Sequence, residues 1–145
     1  MKLDLLPYAT RAKVRHLDGD RQIWCMVRRA WLAAQPEEYV RQGLIEWFLE
    51  RGCPAAWMQV ERKVGSSRDR LDLLVLDRRG QPYVLAEAKA PGFNLNPAIQ
   101  QLARYNRVWR APFALAVNGE DALCCALDYS TQQIDLLAEL PPYPS

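Results

Sequence analysis

The spacing of hydrophobic positions changes along the chain. After Pro36, Val40, Gly43, Leu44, Trp47 and Phe48 recur at helical intervals. Gln35-Pro36-Glu37-Glu38 reads as the helix start, because proline suits the first turn and two carboxylates suit the positive end of the dipole. Gly52 followed by Pro54 supplies a stop. Next come runs expected to be strands: Ala56 to Val64, Leu71 to Leu76 and Tyr83 to Ala90. Gly65-Ser66-Ser67-Arg68-Asp69 breaks the first from the second, and Asp77-Arg78-Arg79-Gly80 is a hairpin turn between the second and third. Asn96-Pro97 opens a second helix, as an N-cap followed by proline, that runs to about Trp109. Phe113 to Val117, a tight turn at Asn118-Gly119 and Ala122 to Leu127 then form a hairpin, and Ile134 to Leu137 adds a strand. Before Pro36 the pattern is weaker. Gln22 to Val27 reads as a short strand, Arg28 to Ala34 as a helical turn, and the stretch from His16 to Asp20 as polar and turn-like.

The order is helix, three strands, helix, then two or three strands. That is an α/β arrangement, a central mixed β-sheet flanked by helices. No repeat, linker or low-complexity run divides residues 1–145, so one domain is expected, with residues 1–35 an extension whose structure the pattern leaves undefined.

Composition narrows the chemistry. Half the residues are hydrophobic, enough for one real core, and the net charge of +2 argues for neither nucleic acid nor membrane. Only four of nineteen basic residues are lysines, a bias that coding composition explains before phosphate binding does. Cys25, Cys53, Cys124 and Cys125 form no CxxC pair, so reduced thiols and a cytoplasmic location are expected. The first fifteen residues lack the apolar run of a signal peptide, and no window approaches a membrane span. His16 is the single histidine, which argues against a Ser-His-Asp triad or a histidine-rich metal site. No phosphate-binding GxxxxGK[ST] loop occurs.

The stretch Val84-Leu85-Ala86-Glu87-Ala88-Lys89-Ala90-Pro91 is anomalous. In a strand, Leu85, Glu87 and Lys89 share one face and Val84, Ala86, Ala88 and Ala90 the other. A buried charge is costly unless it is paired or bound. Three explanations stand: a wet face, charges that satisfy each other, or a metal site. Asp72 is a second acid within an apolar strand, on the face of Leu74 and Leu76. The turn makes its strand the antiparallel neighbour of the third, with position 72 opposite about 86. Asp72, Glu87 and Lys89 then adjoin. Two carboxylates and a strand carbonyl form a hard oxygen set suited to Mg²⁺ or Mn²⁺, and a lysine beside it can orient water and offset developing charge.

The spacing ExK is weak alone. Glu61-Arg62-Lys63 has it too, but no acid precedes it on a strand; Lys63 reads as a solvated strand end and Glu61 as structural. On the second helix Gln101 and Tyr105 are four apart and share a face. By themselves they read as a surface glutamine and a half-buried tyrosine. Arg104, Arg107 and Arg110 recur every third position, either a solvated helix face or a set of phosphate contacts.

Taken in order, Asp72, Glu87-Ala88-Lys89 and Gln101-xxx-Tyr105 resemble the PD-(D/E)xK nuclease superfamily with its trailing QxxxY element. PEEYVRQGLIEWFLERGCP, DRLDLLVLDRRGQPYVLAEAKAP, QQLARYN and the Asn118-Gly119 turn resemble the N-terminal nuclease domain of type I restriction enzyme R subunits, in a small stand-alone form, over roughly residues 23–142. Leu71 stands where the signature often has proline. The resemblance implies a restriction-endonuclease-like core and a metal-dependent DNA phosphodiesterase that hydrolyses its substrate with a metal-activated water. It implies Asp72, Glu87 and the Ala88 carbonyl as ligands of Mg²⁺ or Mn²⁺, and Lys89 as the catalytic lysine. Gln101 and Tyr105 would position Lys89, a phosphate or a base. Glu38 matches an acid these nucleases carry on the first helix; it would reach the metal through water, or else serve only the helix dipole. The motor of a full restriction subunit is absent from this stretch, so a restriction role calls for partner restriction or defence proteins. The alternative is a binding module of the same fold, contacting nucleic acid or protein without turnover.

Overall fold

The computed structural model describes residues 1–144; Ser145, the last residue of the expected domain, lies outside the described residues. A short helix α1 (Leu6–Ala9) precedes three strands, β1 (Val14–Leu17), β2 (Asp20–Cys25) and β3 (Ala30–Ala33), which form an antiparallel meander. Helix α2 (Pro36–Glu50) and a 3-10 turn (Ala55–Trp57) follow. Then come β4 (Met58–Lys63), β5 (Arg70–Leu76), β6 (Pro82–Ala88), α3 (Asn96–Trp109), β7 (Phe113–Val117), β8 (Ala122–Asp128) and β9 (Gln133–Leu137). Strands β4 to β9 make one six-stranded sheet in sequence order. All its neighbours are antiparallel except β6 and β7, which are parallel and joined through α3, since parallel strands need a crossover.

The alternation expected in β6 decides the layers. Val84, Ala86 and Ala88 pack in a cluster with Val40, Leu44 and Phe48 of α2. Leu85 packs in a second cluster with Ile99, Leu102 and Tyr105 of α3. Every residue from Val84 to Ala88 is buried, so this strand is covered on both faces. Helix α2 buries the predicted stripe, and its Gly43 is required by contact: a Cβ there would lie 2.9 Å from the carbonyl oxygen of Leu5, which leads into α1. Buried Asn106 ties the end of α3 to the next strand, accepting from the Ala111 amide at 2.7 Å and donating to its carbonyl at 2.9 Å. Asn118 organises the predicted turn by accepting from the amides of Glu120 and Asp121.

Several expectations need correction. Residues 30–33 are a strand, not part of a helical turn, because Ala33 and Leu32 pair with Gln22 and Ile23 of β2. His16 lies in β1, paired with Arg21. Ala56 belongs to the 3-10 turn before β4. Strand β6 ends at Ala88, two residues short of the expected end, although the Lys89 amide still donates to Val117 at 2.8 Å. Asn96 is not the cap of α3; the side chain of Asn94 accepts the Asn96 amide at 3.0 Å. The hairpin register is shifted by one from the expected one. Leu73 pairs with Ala86, and continuing that ladder sets Asp72 across from Glu87. The irregularity between Val75 and Leu76 accounts for the shift.

Candidate functional site: an acidic pocket at the end of a strand ladder

The regular β5–β6 pairing stops at Leu73 and Ala86. Beyond it, a side chain takes the place of the backbone: Asp72 accepts the Ala88 amide on Oδ2 at 2.8 Å. The Asp72 amide in turn lies 3.4 Å from Glu87 Oε1. The two carboxylates are therefore held together by the strands that carry them. Glu87 is only 4 % exposed. Burial, followed by the charge of Asp72, pushes its carboxyl up to about 9, against the pull of Lys89. Lys89 Nζ lies 3.9 Å from Glu87 Oε2 and stays partly exposed. Of the three explanations for the charged strand, the wet face is excluded by burial.

Asp72 also faces α2. Arg41 Nη1 lies 3.9 Å from its Oδ1. Arg41 is 6 % exposed and is a hub of ion pairs. It contacts Glu38 through two donors, at 2.9 and 2.5 Å, and Glu61 at 2.5 Å. Burial pulls its pKa down, but the contacts with Glu38, Glu61 and Asp72 outweigh that, and the net shift is upward. Gln42 donates a further bond to Glu38 at 3.0 Å. Glu38 thus lies in the same pocket as Asp72 and Ala88, but its oxygens are already engaged by Arg41 and Gln42. The pocket holds about 300 Å³ and is closed on one side by Leu32 and Ala33 of the meander.

Glu61 reaches Arg41 through a distortion of β4. The ladder pairs Val60 with Leu73 and Arg62 with Leu71, skipping Glu61, whose φ is +54°. The register is the same on both sides, so no residue is inserted: Glu61 stands across from Asp72, and its left-handed backbone turns the side chain to Arg41. Lys63 of the same ExK spacing is exposed, as expected.

On the α3 side, Gln101 donates to the Tyr105 hydroxyl at 2.6 Å. Tyr105 is 6 % exposed; burial, then the charges of Asp69 and Glu87, raises its pKa. Tyr105 therefore feels the acidic end of β6. Arg104, Arg107 and Arg110 are exposed and do not line the Asp72 pocket. Arg104 and Arg107 border a separate concavity with Tyr129, and Arg110 stacks over Tyr129 at 4.3 Å.

Sequence reasoning missed Arg41 and Gln42, and with them the partner of Glu61, which it read as structural. Arg41 and Gln42 fall between the stripe positions Val40 and Gly43, on a buried part of α2, which was the available signal. Nothing in the local sequence announces the left-handed φ of Glu61.

Among the described residues no cluster of three His, Cys, Asp or Glu side chains is arranged to hold a metal ion. The carboxylates that adjoin are those of Asp72 and Glu87, with the Ala88 amide bonded to Asp72. Such a set fits a hard cation that keeps several waters, as Mg²⁺ does. The carboxyl of Glu87 is raised first by burial and then by the charge of Asp72. No helix among the described residues is long and apolar enough to cross a membrane.

A family model described as the type I restriction enzyme R protein N terminus matches residues 36–141. No curated protein matches the chain.

Proposed function

Because the chain belongs to the family of type I restriction enzyme R protein N termini, we propose that it is a metal-dependent DNA phosphodiesterase of the PD-(D/E)xK type. The observation that carries this reading is the joined end of β5 and β6, where Asp72 and Glu87 meet beside Lys89. The family supports a nuclease-related role and DNA as the partner, alongside other proteins of a restriction system.

Asp72, Glu87 and the Ala88 carbonyl would hold Mg²⁺ or Mn²⁺. Bound there, the ion would supply a water of lowered pKa and positive charge for the phosphate. The protein's own groups divide the remaining work. The hydrogen bond from the Ala88 amide fixes the Asp72 carboxylate. Lys89 extends from the rigid strand edge, anchored by its amide on Val117, and brings an ammonium to where negative charge develops. Tyr105, oriented by Gln101, closes the site from the α3 side. Arg41 keeps Glu38 turned inward and balances Asp72. Arg104, Arg107 and Arg110 are phosphate contacts at a distance from the pocket, each worth a share of salt-dependent affinity.

A second reading is a binding module without turnover. Its support is Arg41, a fixed cation 3.9 Å from Asp72 that already compensates part of the acidic charge.

Calorimetry with Mg²⁺ and Mn²⁺ on the wild type and Asp72→Asn comes first. The nuclease reading expects binding that is lost in the variant, together with metal-dependent DNA cleavage that is lost in Lys89→Ala. DNA affinity retained in Glu87→Ala, with no metal-dependent product from the wild type, would establish the binding module instead.

A further inference from the structure

The meander β1–β3 precedes the family match, which begins at residue 36, yet it forms a wall of the acidic pocket through Leu32 and Ala33. Its two faces differ. Ile23 and Cys25, both 0 % exposed, turn toward the protein interior. On the opposite face stand Arg15, Gln22, Trp24 and Trp31. Trp24 and Trp31 are directly paired, with ring centroids 5.3 Å apart in an edge-on arrangement. Both are half-buried, and neither belongs to a core cluster. Arg15 spreads its guanidinium over Trp31, 4.3 Å from the ring centroid, and its Nε donates to Gln22 at 2.7 Å. Hydrogen bond and ring together fix the plane of the guanidinium.

The segment is basic. Residues 13–34 hold five basic side chains (Lys13, Arg15, Arg21, Arg28, Arg29) and two acidic ones (Asp18, Asp20), a net +3 on a chain whose total is +2. Cross-strand aromatic pairs stabilise sheets, which explains Trp24 against Trp31. It does not explain a held guanidinium plane stacked outside them on a basic segment. Planar guanidinium and indole groups set in a positive field are what unpaired bases stack on, while nearby cations take the phosphates.

We propose that the outer face of this meander is a docking platform for unpaired nucleotides of a DNA strand. Arg15, backed by Trp31, is its stacking plane, and Lys13, Arg28 and Arg29 are its phosphate contacts. The strand would run from the platform over β3 toward the pocket of Asp72. This rests on the reading that DNA is the chain's substrate and adds which part of DNA it grips and where.

The test is the anisotropy of a labelled oligothymidylate about a dozen nucleotides long, titrated with the full chain at low salt without divalent metal. Trp31→Ala and Arg15→Lys should each weaken binding by about ten-fold, the second although it keeps the charge. Trp31→Phe should stay near wild type. A labelled abasic strand of equal length should bind the wild type as weakly as Arg15→Lys binds the oligothymidylate. Wild-type affinity in Arg15→Lys, equal affinity for the abasic strand, or no binding of oligothymidylate by the wild type would each overturn the platform. Loss of the nuclease reading would instead show as absent metal binding and cleavage with these affinities unchanged.

Discussion

Asp72 and Glu87 sit across from each other at the end of the β5–β6 ladder, where the Asp72 amide approaches a Glu87 oxygen at 3.4 Å. Two acids forced together in a nearly dry place conflict with stability. Burial and the neighbouring charge of Asp72 raise the Glu87 carboxyl to about 9, well above the ordinary 4.5 of an unfolded chain. Below the lower value both states are protonated and nothing is lost. As pH rises from there toward 9, unfolding releases a proton that folding must retain, so stability falls. Glu87→Gln should remove this loss. We expect denaturant unfolding to show the variant more stable by about 1–3 kcal/mol at pH 8, with the two proteins converging near pH 4.5. A wild type at least as stable as the variant at pH 8 would contradict the assignment.

Arg41 joins Glu38, Glu61 and Asp72 from a nearly buried position. Removing one partner of a buried pair leaves uncompensated charge, so Arg41→Ala should cost about 3–5 kcal/mol. Arg41→Lys should recover only part, because an ammonium cannot make the two-pronged contact with Glu38. Thermal or denaturant melts check both. A loss under 1 kcal/mol in Arg41→Ala, on the scale of exposed ion pairs, would mean that the network is open to water.

Glycine inside a helix normally costs about 1 kcal/mol relative to alanine. Gly43→Ala should nonetheless destabilise the protein by about 1–2 kcal/mol. The added Cβ meets backbone, the Leu5 carbonyl at 2.9 Å, and backbone cannot swing aside as a side chain can. The measurement is the melting temperature of the variant. A rise would show that α1 shifts freely on α2.

All four cysteines are free and buried. Burial raises the Cys53 and Cys124 thiols to about 11 each, and that of Cys125 upward as well. A thiolate is the reactive form. Alkylation with iodoacetamide at pH 8 should therefore be slow in the native protein and rapid in denaturant, as mass spectrometry would show. Fast labelling of Cys53 or Cys124 under native conditions would contradict their packing.

Gln101 and Tyr105 are bonded to each other and lie toward the acidic end of β6. If that hydroxyl serves the reaction, Tyr105→Phe should lower DNA cleavage several-fold while leaving Mn²⁺ binding and the melting temperature near wild type. Unchanged cleavage would reduce the pair to a helix–sheet contact.

The sequence by itself determined the elements whose period is local. The α2 stripe, the hairpin around Asp77 to Gly80, α3 and the strands after it follow from side-chain spacing and turn residues, and so does the closeness of Asp72 to Glu87 and Lys89. What it left open depends on partners far along the chain. Strand β3 is four residues long, and its strand character comes from pairing with β2. The hairpin register turned on an irregularity at Val75 and Leu76. Glu61 adopts a left-handed φ although the ladder keeps its register on either side of it, a feature that no local signal encodes. Arg41 looks like a polar break in an apolar helix until the fold brings Glu38, Glu61 and Asp72 around it. Spacing along one segment dictates which face is buried; only packing of distant segments decides which charges must share the same dry space.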